Sequence, residues 1–136
     1  MTEPVKVLII DDEADFCYFV RKNLMRGEMF DVVIATNGKQ GIELANNEKP
    51  DIILLDLLMP GMSGDEVAAV LKRQAATANI PILYLTALAT DEDVNEEVDE
   101  DMDDCNERKS GKNHILPKPV RTKKLIETIL KILGKP

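Results

Sequence analysis

Residues 52–64 read IILLDLLMPGMSG, an apolar run that stops at Asp56 and is followed by a loop and by Ser63. A short run of this kind is typical of a strand that is buried on both faces. Ser63 is followed three residues later by Glu66, which is the spacing of a helix capping box. This segment therefore predicts a buried strand, a loop and the start of a helix.

The same pattern occurs along the whole chain. Four further apolar runs lie at residues 5–10, 32–35, 80–85 and 114–116, and each is followed by apolar residues at helical intervals. In the first helical segment, Phe16, Phe19, Val20 and Leu24 are expected to face the core, and Gly27 and Gly134 are expected helix stops. Repeated strand–helix alternation requires parallel strands joined by right-handed crossovers. We therefore predict a doubly wound α/β domain, with a five-stranded parallel sheet and helices on both faces.

Length and charge exclude several classes of protein. A chain of 136 residues suits one domain, and its net charge of -8 argues against a nucleic-acid binder. No apolar run is long enough for a membrane helix, and the start of the chain does not resemble a signal peptide. We expect a cytoplasmic protein that contacts neither nucleic acid nor membrane, with Cys17 and Cys105 as free thiols.

Polar residues follow four of the five predicted strands. They are Asp11 and Asp12, Asp56, Thr86, and Lys118. Ligands of doubly wound sheets gather at the carboxyl ends of the strands, so these residues are expected to converge. Three adjacent carboxylates repel one another and raise at least one pKa unless a cation is present, and Mg²⁺ suits such an oxygen-rich site. Together with a hydroxyl and an ammonium group, this arrangement predicts phosphoryl transfer onto a carboxylate.

Four sequence elements in order carry a family resemblance: Asp11-Asp12, the string DLLMPGMSG at 56–64, Thr86-Ala87 and Lys118-Pro119. Together they resemble the receiver domain of two-component response regulators, over nearly the whole chain. The resemblance implies a flavodoxin-like fold with strand order 2-1-3-4-5. It also implies a single, CheY-like receiver domain over residues 1–136, with an extended acidic segment at 91–107 and no output domain.

The resemblance assigns a role to each polar residue. Asp56 is the expected phosphoacceptor, taking a phosphoryl group from a histidine kinase or a histidine phosphotransfer protein. Asp12 binds Mg²⁺ directly, Asp11 positions it through water, and Asp56 and the backbone carbonyl of Leu58 complete the metal site. Thr86 and Lys118 contact the phosphoryl oxygens, and the Lys118–Pro119 bond is expected to be cis. Such a domain catalyses only its own phosphorylation and dephosphorylation, and it changes the surface made by the fourth helix, fifth strand and fifth helix.

One position departs from the family pattern. Where the family usually has an aromatic residue that moves together with the threonine as a switch, this chain has Ile115. His114 beside it is expected on the opposite face of the strand. The switch position is therefore the pair Thr86 and Ile115, and a constitutive scaffold with an impaired switch is kept as an alternative.

The acidic segment has two interpretations. Residues 91–107 hold 11 of the 25 acidic residues and no basic one, and they predict an extended fourth helix over 91–108. The segment is either a solvated face or a docking surface for a downstream protein, and a phosphorylation-dependent homodimer also stays open. Calcium binding of the EF-hand type is disfavoured, because Asp104 and Ser110 stand where a Gly and a Glu are required.

Two other functions on this fold are weaker. A Mg²⁺-dependent aspartyl-phosphate hydrolase usually has a second acid two residues after the nucleophile, where this chain has Leu58. A flavin-binding module needs a phosphate loop after the first strand, where Asp11, Asp12 and Glu13 would repel phosphate. Apolar Leu58 and Leu88 are instead expected to shield an acyl phosphate from water.

Overall fold

The computed structural model describes residues 3–86 and 114–135. Its strands are β1 (Val5–Ile10), β2 (Phe30–Ala35), β3 (Ile52–Leu55), β4 (Ile82–Thr86) and β5 (His114–Pro117). The helices are α1 (Ala14–Leu24), α2 (Gly38–Glu48), α3 (Gly64–Arg73) and α4 (Thr122–Ile132), with a 3₁₀ turn at Met25–Gly27. The predicted acidic helix over 91–108 lies outside the described residues, as do Leu88 and Cys105.

The five strands form one parallel sheet in the order β2-β1-β3-β4-β5, which confirms the predicted fold class and topology. Strand order reverses at β1, because the chain goes first to β2 on one side and then to β3 on the other. The crevice at the carboxyl ends of β1 and β3 is therefore where a ligand is expected.

Within the described residues, two helices pack on each face of the sheet. Side chains of alternate parity leave the strands on opposite faces, so the continuous apolar runs supply two cores. The helices α1 and α4 cover one face, with Cys17, Val20, Leu24, Leu125 and Ile129 packed on the sheet. The helices α2 and α3 cover the other, with Ala45, Val67, Ala68 and Leu71. The strand ends are thereby held in a rigid, doubly covered layer.

Two expectations about α1 are wrong. Phe19 was expected in the core, but its side chain is 58% exposed, because the buried stripe of α1 adds Cys17 to Val20 and Leu24, which are buried as predicted. Gly27 does not stop the helix in a left-handed conformation, since Glu28 takes the positive φ of 65° after the 3₁₀ turn. At the end of α4, by contrast, Gly134 has a φ of 72° and is the helix stop that was predicted.

The start of α3 is fixed by a complete capping box. Ser63 Oγ accepts a hydrogen bond from the Glu66 N–H (3.3 Å), and Glu66 Oε1 accepts one from the Ser63 N–H (2.9 Å). Gly64 comes next and packs against the chain just after β3, where an added Cβ would clash with the Asp56 carbonyl oxygen. Only glycine leaves room for the loop to return this close to Asp56, so α3 and the loop fix the backbone around that residue.

Among the residues that the structure describes, none of the helices has the length and apolar character needed to cross a membrane.

Candidate functional site

Backbone hydrogen bonds bring Asp11 and Asp56 to the same edge of the sheet. The Asp56 N–H donates to the Ile10 carbonyl (3.0 Å), and the Asp11 N–H donates to the Ala35 carbonyl (3.0 Å). Both contacts extend the ladder between neighbouring strands by one residue beyond the strand ends. The first residues after β1 and β3 are therefore held in register.

Asp11, Asp12 and Asp56 form one cluster. Each offers a carboxylate oxygen, and these oxygens lie within 4.8 Å of one another. Asp11 and Asp56 are buried, with 1% and 6% of their surface exposed, whereas Asp12 faces solvent. The predicted convergence of the acid pair with Asp56 is thus observed.

This cluster could hold a divalent metal ion. Its donors are carboxylate oxygens, which are the ligands that Mg²⁺ takes in proteins, and Asp12 leaves one side open to water and phosphate oxygens. Asp11 Oδ2 is buried and makes no aligned hydrogen bond among the described residues, and its close polar neighbour is the Lys118 ammonium. The donor set and this buried oxygen both fit a magnesium ion.

Lys118 completes the site from the end of β5. Its Nζ lies 2.8 Å from Asp11 Oδ2, a contact close enough for an ion pair although not aligned as a hydrogen bond. The same Nζ is 2.9 Å from Glu13 Oε1 and 3.7 Å from Asp56 Oδ2. It also lies 4.5 Å from the centre of the Phe16 ring, within the range of a cation–π contact. The ammonium therefore lies closer to the β1 side of the site than to Asp56.

Burial and charge shift the pKa of Asp56 upwards. Loss of hydration, together with repulsion from Asp11, raises the pKa of the Asp56 carboxyl to about 6, although Lys118 acts in the opposite direction. This agrees with the expectation that crowded carboxylates raise at least one pKa. In the metal-free protein, the negative charge on Asp56 is only partly compensated.

Lys118 shows the opposite balance. Burial by itself would lower the pKa of the Lys118 ammonium, but Asp11 and Glu13 more than offset this and raise it above its ordinary value. Lys118 therefore stays charged throughout the physiological range and supplies a permanent cation to the site.

Cys17 lies directly under the site as a free, buried thiol. Its Sγ donates to the Asp11 carbonyl oxygen at 3.4 Å. Burial, followed by repulsion from Asp11, raises the pKa of the Cys17 thiol to about 12, so the group stays protonated and acts as a packing residue.

Thr86 lies at the end of β4, next to the chain that carries Lys118. The Thr86 carbonyl accepts a hydrogen bond from the Lys118 N–H (3.1 Å), and Thr86 is 1% exposed. The Lys118–Pro119 peptide bond is cis, as expected. The site is therefore formed by residues at the ends of four strands, β1, β3, β4 and β5.

The Ile115 side chain lies on the α2/α3 side of the sheet, half-buried against that core, and it pairs in register with Tyr84. His114 has the opposite parity, which is the parity of Leu116 on the α1/α4 side, and it is exposed. The predicted alternation at this position is confirmed.

Leu58 borders Asp56 on the solvent side. Its backbone N–H donates to Asp56 Oδ1 at 3.4 Å, a long hydrogen bond, and its side chain is 57% exposed. A leucine this exposed, directly beside a polar site, covers part of the approach to Asp56.

Two residues of the site were missed by sequence reasoning. The sequence pattern places Glu13 only in a repulsive acidic run and Phe16 only in the core, yet both contact the Lys118 ammonium. A signal for Glu13 existed, since it directly follows the acid pair on the edge where Lys118 was expected. No pattern in the sequence indicates the contact of Phe16, because it depends on how α1 leaves the sheet.

A doubly wound sheet with three acids, a threonine and a lysine at its carboxyl edge defines a class of phosphoryl-accepting signalling domains. The family model described as the response regulator receiver domain matches residues 7–130, and the chain belongs to this family. It is thus a receiver domain of two-component signalling, and domains of this family are signalling switches that are generally not enzymes.

Curated relatives agree with this assignment. Protein PilH of Pseudomonas aeruginosa is 31% identical over 129 residues, which cover 95% of this chain and 98% of PilH. The DNA-binding response regulator MtrA of Mycobacterium tuberculosis H37Rv is 31% identical over 124 residues, which cover 91% of this chain and 48% of MtrA. The chain therefore spans nearly all of PilH but about half the length of MtrA.

Solved structures share the fold. The chemotaxis protein CheY4 of Vibrio cholerae superposes with a TM-score of 0.75 at 26% identity, covering 95% of this chain and 98% of that one. The receiver domain of the Francisella response regulator 1452 gives 0.70 at 28% identity, covering 95% and 96%. Response regulators interact with histidine kinases or phosphotransfer proteins and with downstream targets.

Proposed function

We propose that this chain is a phosphorylation-dependent switch in which Asp56 accepts a phosphoryl group from a histidine kinase or a histidine phosphotransfer protein. An Asp56 oxygen forms the new bond to phosphorus. The bond between phosphorus and the imidazole nitrogen of the donor breaks, and its electron pair stays on that nitrogen. The single observation that carries the proposal is the buried Asp56 carboxylate, which lies in one cluster with Asp11 and Asp12 and 3.7 Å from the Lys118 ammonium at the crevice between β1 and β3.

Asp56 is the best acceptor among the three acids. Asp11 is in ion-pair contact with Lys118 at 2.8 Å, whereas Asp56 is 3.7 Å from it and has a long hydrogen bond from Leu58. A carboxylate with loosely held oxygens is free to attack, because no strong contact within the described part of the chain has to be broken first. Asp12 is exposed, so a phosphoryl group there would be open to water.

Mg²⁺ is the proposed cofactor, held by Asp12 and Asp56, with Asp11 acting through water and the Leu58 carbonyl as a further ligand. When bound, the ion neutralises charge on the carboxylates and on the incoming phosphoryl oxygens. The chain itself contributes the orientation, since the strand ends hold Asp11 and Asp56 in register.

Thr86 and Lys118 are the proposed contacts of the phosphoryl group. Lys118 remains charged and lies beside Asp56, so it can neutralise one phosphoryl oxygen after a small movement. The Thr86 hydroxyl is a suitable hydrogen-bond donor to a second oxygen. A phosphoryl group adds negative charge and hydrogen-bond acceptors to the site. New contacts of this kind can shift the backbone around Thr86 and Lys118 from one conformation to another.

We infer that the output is a changed protein-binding surface made by β5, by α4 (the fifth helix of the sequence prediction) and by the predicted fourth helix with its acidic segment 91–107. Within the proposal the chain is a single receiver domain over residues 1–136 that catalyses only its own phosphorylation and dephosphorylation. A downstream protein is the proposed target, with a phosphorylation-dependent homodimer as a second form of output, and the site of action is the cytoplasm.

A constitutive scaffold is the second candidate, and it is favoured by one observation. Ile115 is half-buried against the α2/α3 core, so the switch position holds an aliphatic side chain that is already packed. Backbone amide shifts with and without beryllofluoride separate the two candidates. Shift changes along β4 and β5 are expected for the switch, and unchanged shifts there would support the scaffold.

The direct test is phosphorylation by acetyl phosphate with Mg²⁺, followed by the intact mass. The wild type should gain one phosphoryl group, and Asp56→Asn should gain none. Asp51→Asn is the matched control, because Asp51 lies at the opposite end of β3, so this variant should be labelled like the wild type. Full labelling of Asp56→Asn would contradict the proposal.

A further inference from the structure

Lys118 has one carboxylate partner that is not among the proposed metal ligands. Glu13 Oε1 is 2.9 Å from Nζ with hydrogen-bond geometry, while Asp56 Oδ2 is 3.7 Å away. The side chain of Glu13 is 63% exposed, so it enters the site from the solvent side. Lys118 thus has a second close partner, besides Asp11 at 2.8 Å, and this partner lies outside the acidic cluster.

We propose that Glu13 is a positioning residue that holds the Lys118 ammonium on the β1 side and opposes its transfer to the phosphoryl group. This inference rests on the proposed function, because it concerns the same reaction at Asp56. Glu13 makes no contact with phosphorus or with the acceptor. It acts through Lys118.

The position of Glu13 relative to Lys118 explains why Glu13 should slow phosphorylation. An ammonium group has three donors, and Glu13 and Asp11 both lie within reach of Nζ on the β1 side. When a phosphoryl group forms on Asp56, Lys118 has to turn towards it and loosen the contact with Glu13. The Glu13 carboxylate also repels the new negative charge across the site.

Phe16 keeps the lysine close to the site during this movement. The ring lies 4.5 Å from Nζ, so the ammonium retains an attractive surface that does not compete for its hydrogen-bond donors. The Glu13 backbone N–H donates to Asp11 Oδ1 at 2.9 Å, which fixes the Glu13 backbone beside the site. The Glu13 side chain is therefore the exchangeable partner of Lys118.

Removing the Glu13 charge should speed the reaction. Because the ion pair is exposed on one side, we expect Glu13→Gln to raise the rate constant of phosphorylation by acetyl phosphate about two- to fivefold. Its affinity for beryllofluoride with Mg²⁺ should rise by a similar factor. Thermal unfolding should be nearly unchanged, since Glu13 precedes α1 without capping it through its side chain.

Two variants separate the contact from general charge. Asp15→Asn removes an acid from the first turn of α1, where Asp15 has no ion pair with Lys118 among the described residues. Because the effect of a distant, exposed charge is screened by salt, this variant should change the rate constant of phosphorylation less than about 1.5-fold. Glu13→Asp keeps the charge but shortens the reach, and should give a rate between those of the wild type and Glu13→Gln.

A spectroscopic readout reports on the contact itself. The side-chain ammonium resonance of Lys118 should shift in Glu13→Gln and remain in place in Asp15→Asn, both measured without phosphodonor. Equal rates and equal beryllofluoride affinities for Glu13→Gln and Asp15→Asn would overturn the inference. If the wild type takes no phosphoryl group at Asp56, the proposed function fails instead, and the ammonium resonance still tests whether Glu13 holds Lys118.

Discussion

The ends of β1 and β3 carry two buried carboxylates that differ in how well they are contacted. Asp11, at the end of β1, accepts the Glu13 N–H at 2.9 Å and lies 2.8 Å from the Lys118 ammonium. Asp56, at the end of β3, has longer contacts among the residues that the structure describes, at 3.4 Å to the Leu58 N–H and 3.7 Å to the ammonium. The pKa of Asp56 is accordingly raised to about 6, mainly by burial.

Under the proposed function, Asp11 is the structural carboxylate and Asp56 is the reactive one. Both residues follow an apolar strand, both are buried, and they belong to one cluster. The β1 end, however, holds the shared cation, whereas the β3 end retains a charge that is costly until a ligand compensates it. A carboxylate of the second kind gains most from a metal ion that compensates its charge.

The largest effect is expected when the shared cation is removed. Lys118→Met leaves Asp11 and Asp56 facing each other without an ammonium, and breaking a buried ion pair of this kind costs about 3 kcal/mol of unfolding free energy. Urea unfolding without Mg²⁺ measures the loss. Because the closer contact is to Asp11, adding Asp11→Asn to Lys118→Met should recover more stability than adding Asp56→Asn.

The control for this prediction is Lys123→Met, which removes an exposed lysine from α4. Its unfolding free energy should stay within about 0.5 kcal/mol of the wild type. Equal losses in the two lysine variants would contradict the role given to Lys118.

Replacing Asp56 and Asp11 separately should change the unfolding free energy in opposite directions. In the metal-free protein at about pH 7.5, Asp56→Asn should stabilise the fold by about 1–2 kcal/mol, because it removes a poorly compensated buried charge. Asp11→Asn should destabilise it by about 1–2 kcal/mol, because the ion pair with Lys118 is lost. Unfolding in urea under identical conditions compares the two, and a stabilising Asp11→Asn would contradict the distinction.

The pH dependence follows from the shift at Asp56. Its pKa is about 6 in the folded protein against 3.8 as the ordinary value, so the folded state binds the proton more tightly than the unfolded state. The contribution of protonated Asp56 to the unfolding free energy is fully present below pH 3.8 and is lost as the pH rises through about 6. The gain in unfolding free energy from Asp56→Asn should therefore shrink towards zero at about pH 4. A gain that stays constant between about pH 4 and about pH 7.5 would contradict the raised pKa of Asp56.

The smallest effect concerns the exposed neighbour of the acceptor. Leu58→Asn should speed the loss of the phosphoryl group about threefold, which is less than 1 kcal/mol in barrier, since a polar side chain admits water that the leucine partly excludes. The decay of label after removal of the phosphodonor measures it. Decay in the wild type as fast as in Leu58→Asn would show that the leucine does not shield the group.

Most of the fold was predictable because its signals are local. The run at 52–55 ends at Asp56, and the spacing of Ser63 and Glu66 fixes the start of α3, so these elements need no knowledge of distant contacts. The position of Phe19 was not predictable in the same way. An apolar residue at helical spacing is core only if the helix turns that side to the sheet, and α1 turns Cys17 and Val20 to it instead.

Part of the candidate site was likewise predictable from local sequence, and part was not. Asp11, Asp12 and Asp56 follow strands whose order could be predicted, so their convergence was expected and is observed. The distances from Lys118 to Glu13 and Asp56 could not be predicted, because they depend on the path of the lysine side chain after β5. The contrast between Asp11 and Asp56 is therefore information that only the coordinates supply.

The central claim, that Asp56 rather than its better-contacted neighbour is the acceptor, has one direct measurement. The protein is incubated with acetyl phosphate and Mg²⁺, the acyl phosphate is reduced with borohydride, and the modified residue is identified by peptide mass spectrometry. We predict that Asp56 alone is converted, with Asp11 and Asp12 unchanged. Modification of Asp11 or Asp12, or of none of the three, would contradict the account.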